Sequence, residues 1–201
     1  MPQLSLTDLV DIVSRTGTSK ARKVAEVKAR PDYEPAFDFY RPLRERIVEI
    51  HRTGQPRSAL NNFMATVTDS KKQDNYPTAV NGYKKWWGKK ALTWSIPPRT
   101  NYVKNNFTVV INPELGLTIN GNARCLVKLY FKTEPLSKLR VDVITRLMEN
   151  SLRALCQNNE VMCVLDVRRA KVFRFQPAAP ATIAMIDAEL AYIESLWPNV
   201  P

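Results

Sequence analysis

Residues Arg124 to Lys132 read Arg-Cys-Leu-Val-Lys-Leu-Tyr-Phe-Lys. One set of alternate positions, Cys125, Val127, Leu129 and Phe131, is wholly apolar, and the other, Leu126, Lys128, Tyr130 and Lys132, is mixed and basic. A period of two is what a β-strand with one buried face requires, because successive side chains point to opposite sides of the sheet. The pattern predicts that Val127, Leu129 and Phe131 face the core. It assigns Lys128, Tyr130 and Lys132 to the opposite face, where function is expected.

The flanks of this strand extend the pattern into a sheet. Leu92–Ile96 and Phe107–Ile111 read as strands, the first halted by Pro97 and Pro98. Pro113 to Gly116 forms a turn, Leu117–Ile119 continues extended, and Asn120-Gly121 is a hairpin signal. Ser137 can cap a helix from Lys138 to about Gln157, with Leu139, Val143, Ile144, Leu147, Leu152 and Leu155 as its apolar stripe. Val161–Val167 is almost entirely apolar, as a strand covered on both faces would be. A basic turn, Arg168 to Lys171, leads to a strand at Val172–Phe175. Pro177 and Pro180 mark a linker, and Ile183–Trp197 reads as a final helix that carries Asp187, Glu189 and Glu194 without Lys or Arg.

Upstream the periodicity is helical. Ser5 and Asp8 resemble a capping box, followed by Leu6, Leu9, Val10 and Val13 at helical spacing. Gly17 ends that helix, and Thr18 or Ser19 opens a basic second one reaching Arg30, in helix-turn-helix outline. Pro31 to Pro35 is a break. Helices are expected at Phe37–Arg52, with His51 as a surface cap at its end, and at Ser58–Val67. Thr68–Tyr83 reads as polar and irregular. The fold class is therefore α+β: a helical N-terminal region over 1–82, then over 83–201 a mixed sheet with one crossover helix and a C-terminal helix.

Charge narrows the partners. Lys and Arg number 30 against 19 Asp and Glu, for a net charge of +11, a balance that favours polyanions. Between Gly82 and Lys104 stand six positive charges and no carboxylate, in a segment that includes Tyr83-Lys84-Lys85-Trp86-Trp87-Gly88-Lys89-Lys90. Lysines interleaved with aromatics suit phosphate neutralisation plus base stacking. The reading is a nucleic-acid-binding protein that contacts the backbone through Lys84, Lys85, Lys89, Lys90, Lys128, Lys132, Arg168 and Arg169, with Trp86 or Trp87 stacking. DNA is favoured over RNA, within a DNA-acting assembly that includes protein partners. A scaffold subunit whose basic face meets an acidic protein is the bland alternative.

Other chemistries have little to work with. His51 is the only histidine, and the three cysteines lack metal-type spacing, which points to reduced thiols in a cytoplasm. There is no Gly-rich phosphate loop. The N-terminal sequence lacks signal-peptide character, and no apolar run approaches the roughly 20 residues of a membrane span. No cofactor is expected.

The order of elements, three meandering strands, a crossover helix and a further strand, resembles the core of the PD-(D/E)XK nuclease superfamily. The resemblance covers residues 92–175. It implies a first acid at Glu114 within Pro113-Glu114, and the family lysine at Lys128, fourteen positions on. In that family two carboxylates hold Mg²⁺ and the lysine positions the attacking water. Here the place two before Lys128 is Leu126 rather than an acid. A second ligand would have to come from Glu45, Glu49, Asp142 or Asp166. A single carboxylate rarely holds Mg²⁺, so cleavage is expected to be absent or very weak.

Overall fold

Two β-sheets carry the chain. The computed structural model describes residues 2–30, 38–177 and 181–200. The larger sheet contains β2 (Leu92–Ser95), β5 (Leu115–Ile119), β6 (Arg124–Tyr130), β7 (Val161–Asp166) and β8 (Lys171–Arg174), ordered β2-β5-β6-β7-β8. Its pairs are antiparallel except β6 with β7, which run parallel because helix α6 (Lys138–Leu152) carries the chain back between them. Asn120 and Gly121, both at positive φ (+53° and +72°), make the turn between β5 and β6, as that dipeptide predicts. The smaller sheet has the order β1-β4-β3, from β1 (Gln3–Ser5), β4 (Phe107–Ile111) and β3 (Thr100–Lys104).

The large sheet is the middle layer of three. Val127, Leu129, Phe131, Cys163, Leu165 and Val167 pack beneath helices α3 (Arg41–Arg52), α4 (Ala59–Ala65) and α5 (Ser70–Trp87). On the other face Leu126, Tyr130, Met162 and Val164 join a second cluster with α1 (Leu6–Val13), α6, α7 (Ala181–Leu196) and the small sheet. The expected inward face of β6 is therefore correct, and the expected outward face is not. Every residue from Cys125 to Tyr130 is buried, Lys128 included. Alternation marked the polar residues of β6, but distant elements cover that face, and nothing local to the strand reports them.

The N-terminal elements are built into this body. Ser5 caps α1: its Oγ accepts from the Asp8 amide at 3.0 Å and donates to Asp8 Oδ2 at 2.6 Å, a reciprocal arrangement that satisfies a free N–H of the first turn. The next helix, α2, spans Gly17–Lys28, so Gly17 (φ +52°) opens it rather than ending α1. β1 pairs with β4, and α1 shares a core with α6. The expected boundary between residues 82 and 83 falls inside α5. α7 is tied down by Lys20–Glu189 at 2.7 Å and Lys104–Asp187 at 2.8 Å, so its acidic face is spent on nearby cations. The expected break at Pro31–Pro35 and residues 178–180 of the expected linker lie outside the described residues.

The stretch Thr68–Tyr83 is a correction. From Ser70 on it belongs to α5, whose N-cap Asp69 accepts from the Lys72 amide at 2.9 Å and which runs through Pro77. Pro77, Asn75, Asn81 and Gly82 read as breakers, yet Tyr76, Ala79, Val80, Tyr83 and Trp86 are buried at helical spacing. Tertiary packing of that stripe outweighs the local propensity. Gly82 is needed for the packing. A Cβ there would stand 2.0 Å from the carbonyl oxygen of Val167, so α5 can lie against the end of β7 only without a side chain at this point.

His51 is also corrected, from a surface cap to a buried residue. It is 6% exposed, shares a 2.7 Å hydrogen bond with the Tyr83 hydroxyl, and its ring centroid lies 4.4 Å from that of Trp87. Burial disfavours the imidazolium and pushes its pKa down to about 4. A histidine held below its unfolded value stabilises the fold fully above pH 6.5, and that stability is lost as pH falls from there toward 4. The expected loss from this group is about 2 kcal/mol by pH 5. Urea midpoints at pH 7 and pH 5 should therefore separate by less in His51→Gln than in the parent, and equal separations would contradict the assignment.

Candidate nucleic-acid interface

The end of α5 gathers cations for a backbone reason. Its last carbonyls carry partial negative charge and need donors. Arg57 supplies them, donating from Nη1 to the Gly88 carbonyl at 2.7 Å and to the Lys84 carbonyl at 3.2 Å. Gly88 closes the helix at φ +55°. Lys84 donates to Asn61 Oδ1 at 2.7 Å. Lys90 donates to the Trp86 carbonyl and sits over the Trp86 ring. Lys85 and Lys89 are exposed and make no ion pair among the described residues.

The two tryptophans do not stand out to stack. Trp86 is 4% exposed and Trp87 is half-buried against the α3–α5 core. Their aromatic area holds the segment in place while the lysine heads remain wet. Of the residues expected to contact nucleic acid, Trp86 is therefore anchored inside, and the accessible charge comes from the lysines.

The turn between β7 and β8 adds a second group. Arg169 is exposed and pairs with Asp166, Nη1 to Oδ2 at 3.2 Å, while Arg168 donates to the Tyr40 hydroxyl at 2.9 Å. Gly82 abuts the backbone of Val167 and Arg168. Lys132 is paired with Asp11 beyond the end of β6.

Lys128 and Glu114 do meet, fourteen residues apart in the chain. Lys128 Nζ donates to Glu114 Oε1 at 2.6 Å, to Asn112 Oδ1 at 3.0 Å and to the Asn112 carbonyl at 3.1 Å. Glu114 Oε2 accepts from the Leu129 amide at 2.7 Å. All three ammonium donors and both carboxylate oxygens are thus engaged inside the protein. Asn112 was not singled out in the sequence, where nothing marks it as a partner of a residue sixteen positions away.

Among the described residues none of the expected second acids joins this pair. Glu45 is paired with Arg41, Glu49 with Arg52, Asp142 with Lys138 and Asp166 with Arg169. Among the described residues no group of three His, Cys, Asp or Glu could hold a metal ion. The donor set does not fit Mg²⁺, which takes several oxygen ligands in near-octahedral geometry. All three cysteines are free thiols, and among the described residues no helix is long and apolar enough to cross a membrane. No protein-family model, curated protein or solved structure matches the chain.

Proposed function

We propose that this protein binds nucleic acid, DNA in preference to RNA, through the phosphate backbone and without cleaving it, as one component of a DNA-acting assembly. The observation that carries the reading is Lys85 and Lys89, exposed at the end of a helix and without an ion pair among the described residues, in a chain of net charge +11. Ammonium groups without protein carboxylates are free to displace the counterions of a polyanion, and release of those ions drives backbone binding. Arg57, Lys84 and Lys90 are held at the same helix end and reinforce the field there.

Lys85→Glu with Lys89→Glu tests this reading. Both side chains are exposed, so stability should change by no more than about ±0.5 kcal/mol each. Removing two phosphate contacts should lower the magnitude of the log–log salt slope by about two units and weaken binding at least about tenfold at low salt. Unchanged affinity would contradict the proposal. Retained affinity for an acidic protein alone, with none for DNA or RNA, would favour the scaffold alternative.

The convergence of Glu114 and Lys128 keeps a second reading in view, a Mg²⁺-dependent nuclease of the PD-(D/E)XK type. Leu126 stands where that family's second acid would be, and Lys128 has no donor left for a water. Plasmid DNA incubated with the purified protein and Mg²⁺ or Mn²⁺ is expected to stay intact. Robust cleavage abolished by both Glu114→Ala and Lys128→Ala, in variants that remain folded, would reverse that expectation.

A further inference from the structure

Helix α7 turns an uncharged face to solvent. Its charged residues, Asp187, Glu189 and Glu194, sit on its two flanks and are engaged there: Glu189 pairs with Lys20 of α2, Asp187 with Lys104, and Glu194 accepts from Asn105 and Asn106. Ile186, Leu190 and Ile193 point into the core. The outer side holds Ala184, Met185, Ala188, Ala191, Tyr192 and Ser195, all exposed, on an arc about 120° wide. The other large apolar side chains exposed among the described residues, Ile96, Val103, Leu139, Leu155 and Val172, stand singly in different parts of the chain. Single exposed apolar residues are ordinary, whereas an uncharged face with two large apolar side chains on one helix marks a contact surface. A groove of about 480 Å³ runs along one flank of that face, between α7 and the start of α2, lined by Thr16, Gly17, Lys20, Met185, Glu189 and Tyr192 among others. Its ion pair, Lys20–Glu189, is closed within the chain at 2.7 Å, so the groove offers apolar contact.

We propose that this face joins two copies of the chain in an antiparallel α7–α7 pair. The inference does not depend on the nucleic-acid reading. Two bodies of net charge +11 repel wherever their cations meet, and the outer face of α7 brings no cation to the contact. A polyanion finds nothing to neutralise there. The same surface patch meets itself in such a pair, as a two-fold interface requires.

The order of side chains on α7 fits a second copy of itself. A two-fold axis across the helix near Ala188 sets Ala184, Ala188 and Ala191 of each copy against those of the other, and side chains this small let two helices approach closely. The same axis keeps Met185 and Tyr192 on one flank in both copies. They stand three residues before and four residues after Ala188, so Met185 of each copy meets Tyr192 of the other, a favourable thioether–aromatic contact. That flank carries the groove, which the side chains of the second copy enter. With 16 residues, α7 is about 24 Å long, and a patch of that length makes an exchanging dimer rather than a permanent one. α5 covers the opposite face of the large sheet, so both copies keep Lys85 and Lys89 free.

Sedimentation velocity of the full chain across the micromolar range tests this. The sedimenting mass is expected to rise with concentration from that of one chain to that of two. It should rise more readily at moderate salt than at low salt, because salt screens the repulsion between two cationic bodies and the joined faces hold no ion pair to weaken. Ala188→Arg places a cation where each copy meets the other and should raise the dissociation constant at least about tenfold. The position is exposed and Arg is a good helix former, so helix content should not change. Introduced cysteines test the direction of the pair. Under mild oxidation Ala188→Cys should cross-link into a dimer well above the background of the parent. Ala181→Cys should not, since an antiparallel pair holds the two copies of that residue about 20 Å apart. A single-chain mass at every concentration, a dimer indifferent to Ala188→Arg, or cross-linking of Ala181→Cys as ready as that of Ala188→Cys overturns the proposal.

Discussion

Glu114→Ala is expected to lower the stability of the fold by about 3–5 kcal/mol, the range found when one partner of a buried ion pair is removed. The substitution leaves the ammonium of the buried Lys128 with only the two Asn112 oxygens as partners. It also strips the Leu129 amide of its acceptor, Glu114 Oε2, at the entry of β5, where the Glu114 amide still donates to the Val127 carbonyl at 3.0 Å. Removing both charges should be milder: Glu114→Leu with Lys128→Met eliminates the buried cation along with its partner. Urea denaturation of the single and double variants measures the difference. A Glu114→Ala protein as stable as the parent would show that the pair is not structural and would reopen a chemical role for it.

The architecture was largely legible because the signals that encode it are local. The period of two in β6, Asn120-Gly121 at its start and the apolar run of Val161–Val167 led to a mixed sheet with a crossover helix, and α6 supplies that crossover. α5 was read as irregular because proline, asparagine and glycine are judged by their own propensities. Its helix is instead held by Tyr76, Tyr83 and Trp86 against the sheet, a contact between segments far apart in sequence. Lys128 failed as a surface residue for the same reason: alternation shows which side chains share a face, not what covers that face. The lysine cluster was visible as charge, but the sequence could not say that Trp86 lies inside while Lys85 and Lys89 stand in water.

Binding to duplex DNA should collapse with salt. Lys84, Lys85, Lys89, Lys90, Arg168 and Arg169 make about six candidate phosphate contacts, which corresponds to a log–log slope near −5 and a loss of about 10³-fold between 50 and 200 mM salt. Interactions among exposed charges are screened over about 10 Å at 0.1 M, so an electrostatic interface of this kind has no reserve at high salt. An apolar or scaffold interface would hold its affinity over the same range. The direct test of the backbone reading is fluorescence anisotropy of a labelled duplex across that salt range, with the parent and the Lys85→Glu, Lys89→Glu variant side by side. The account predicts a slope near −5 for the parent and near −3.5 for the variant. A parent slope close to zero, or the same slope for both proteins, would contradict it.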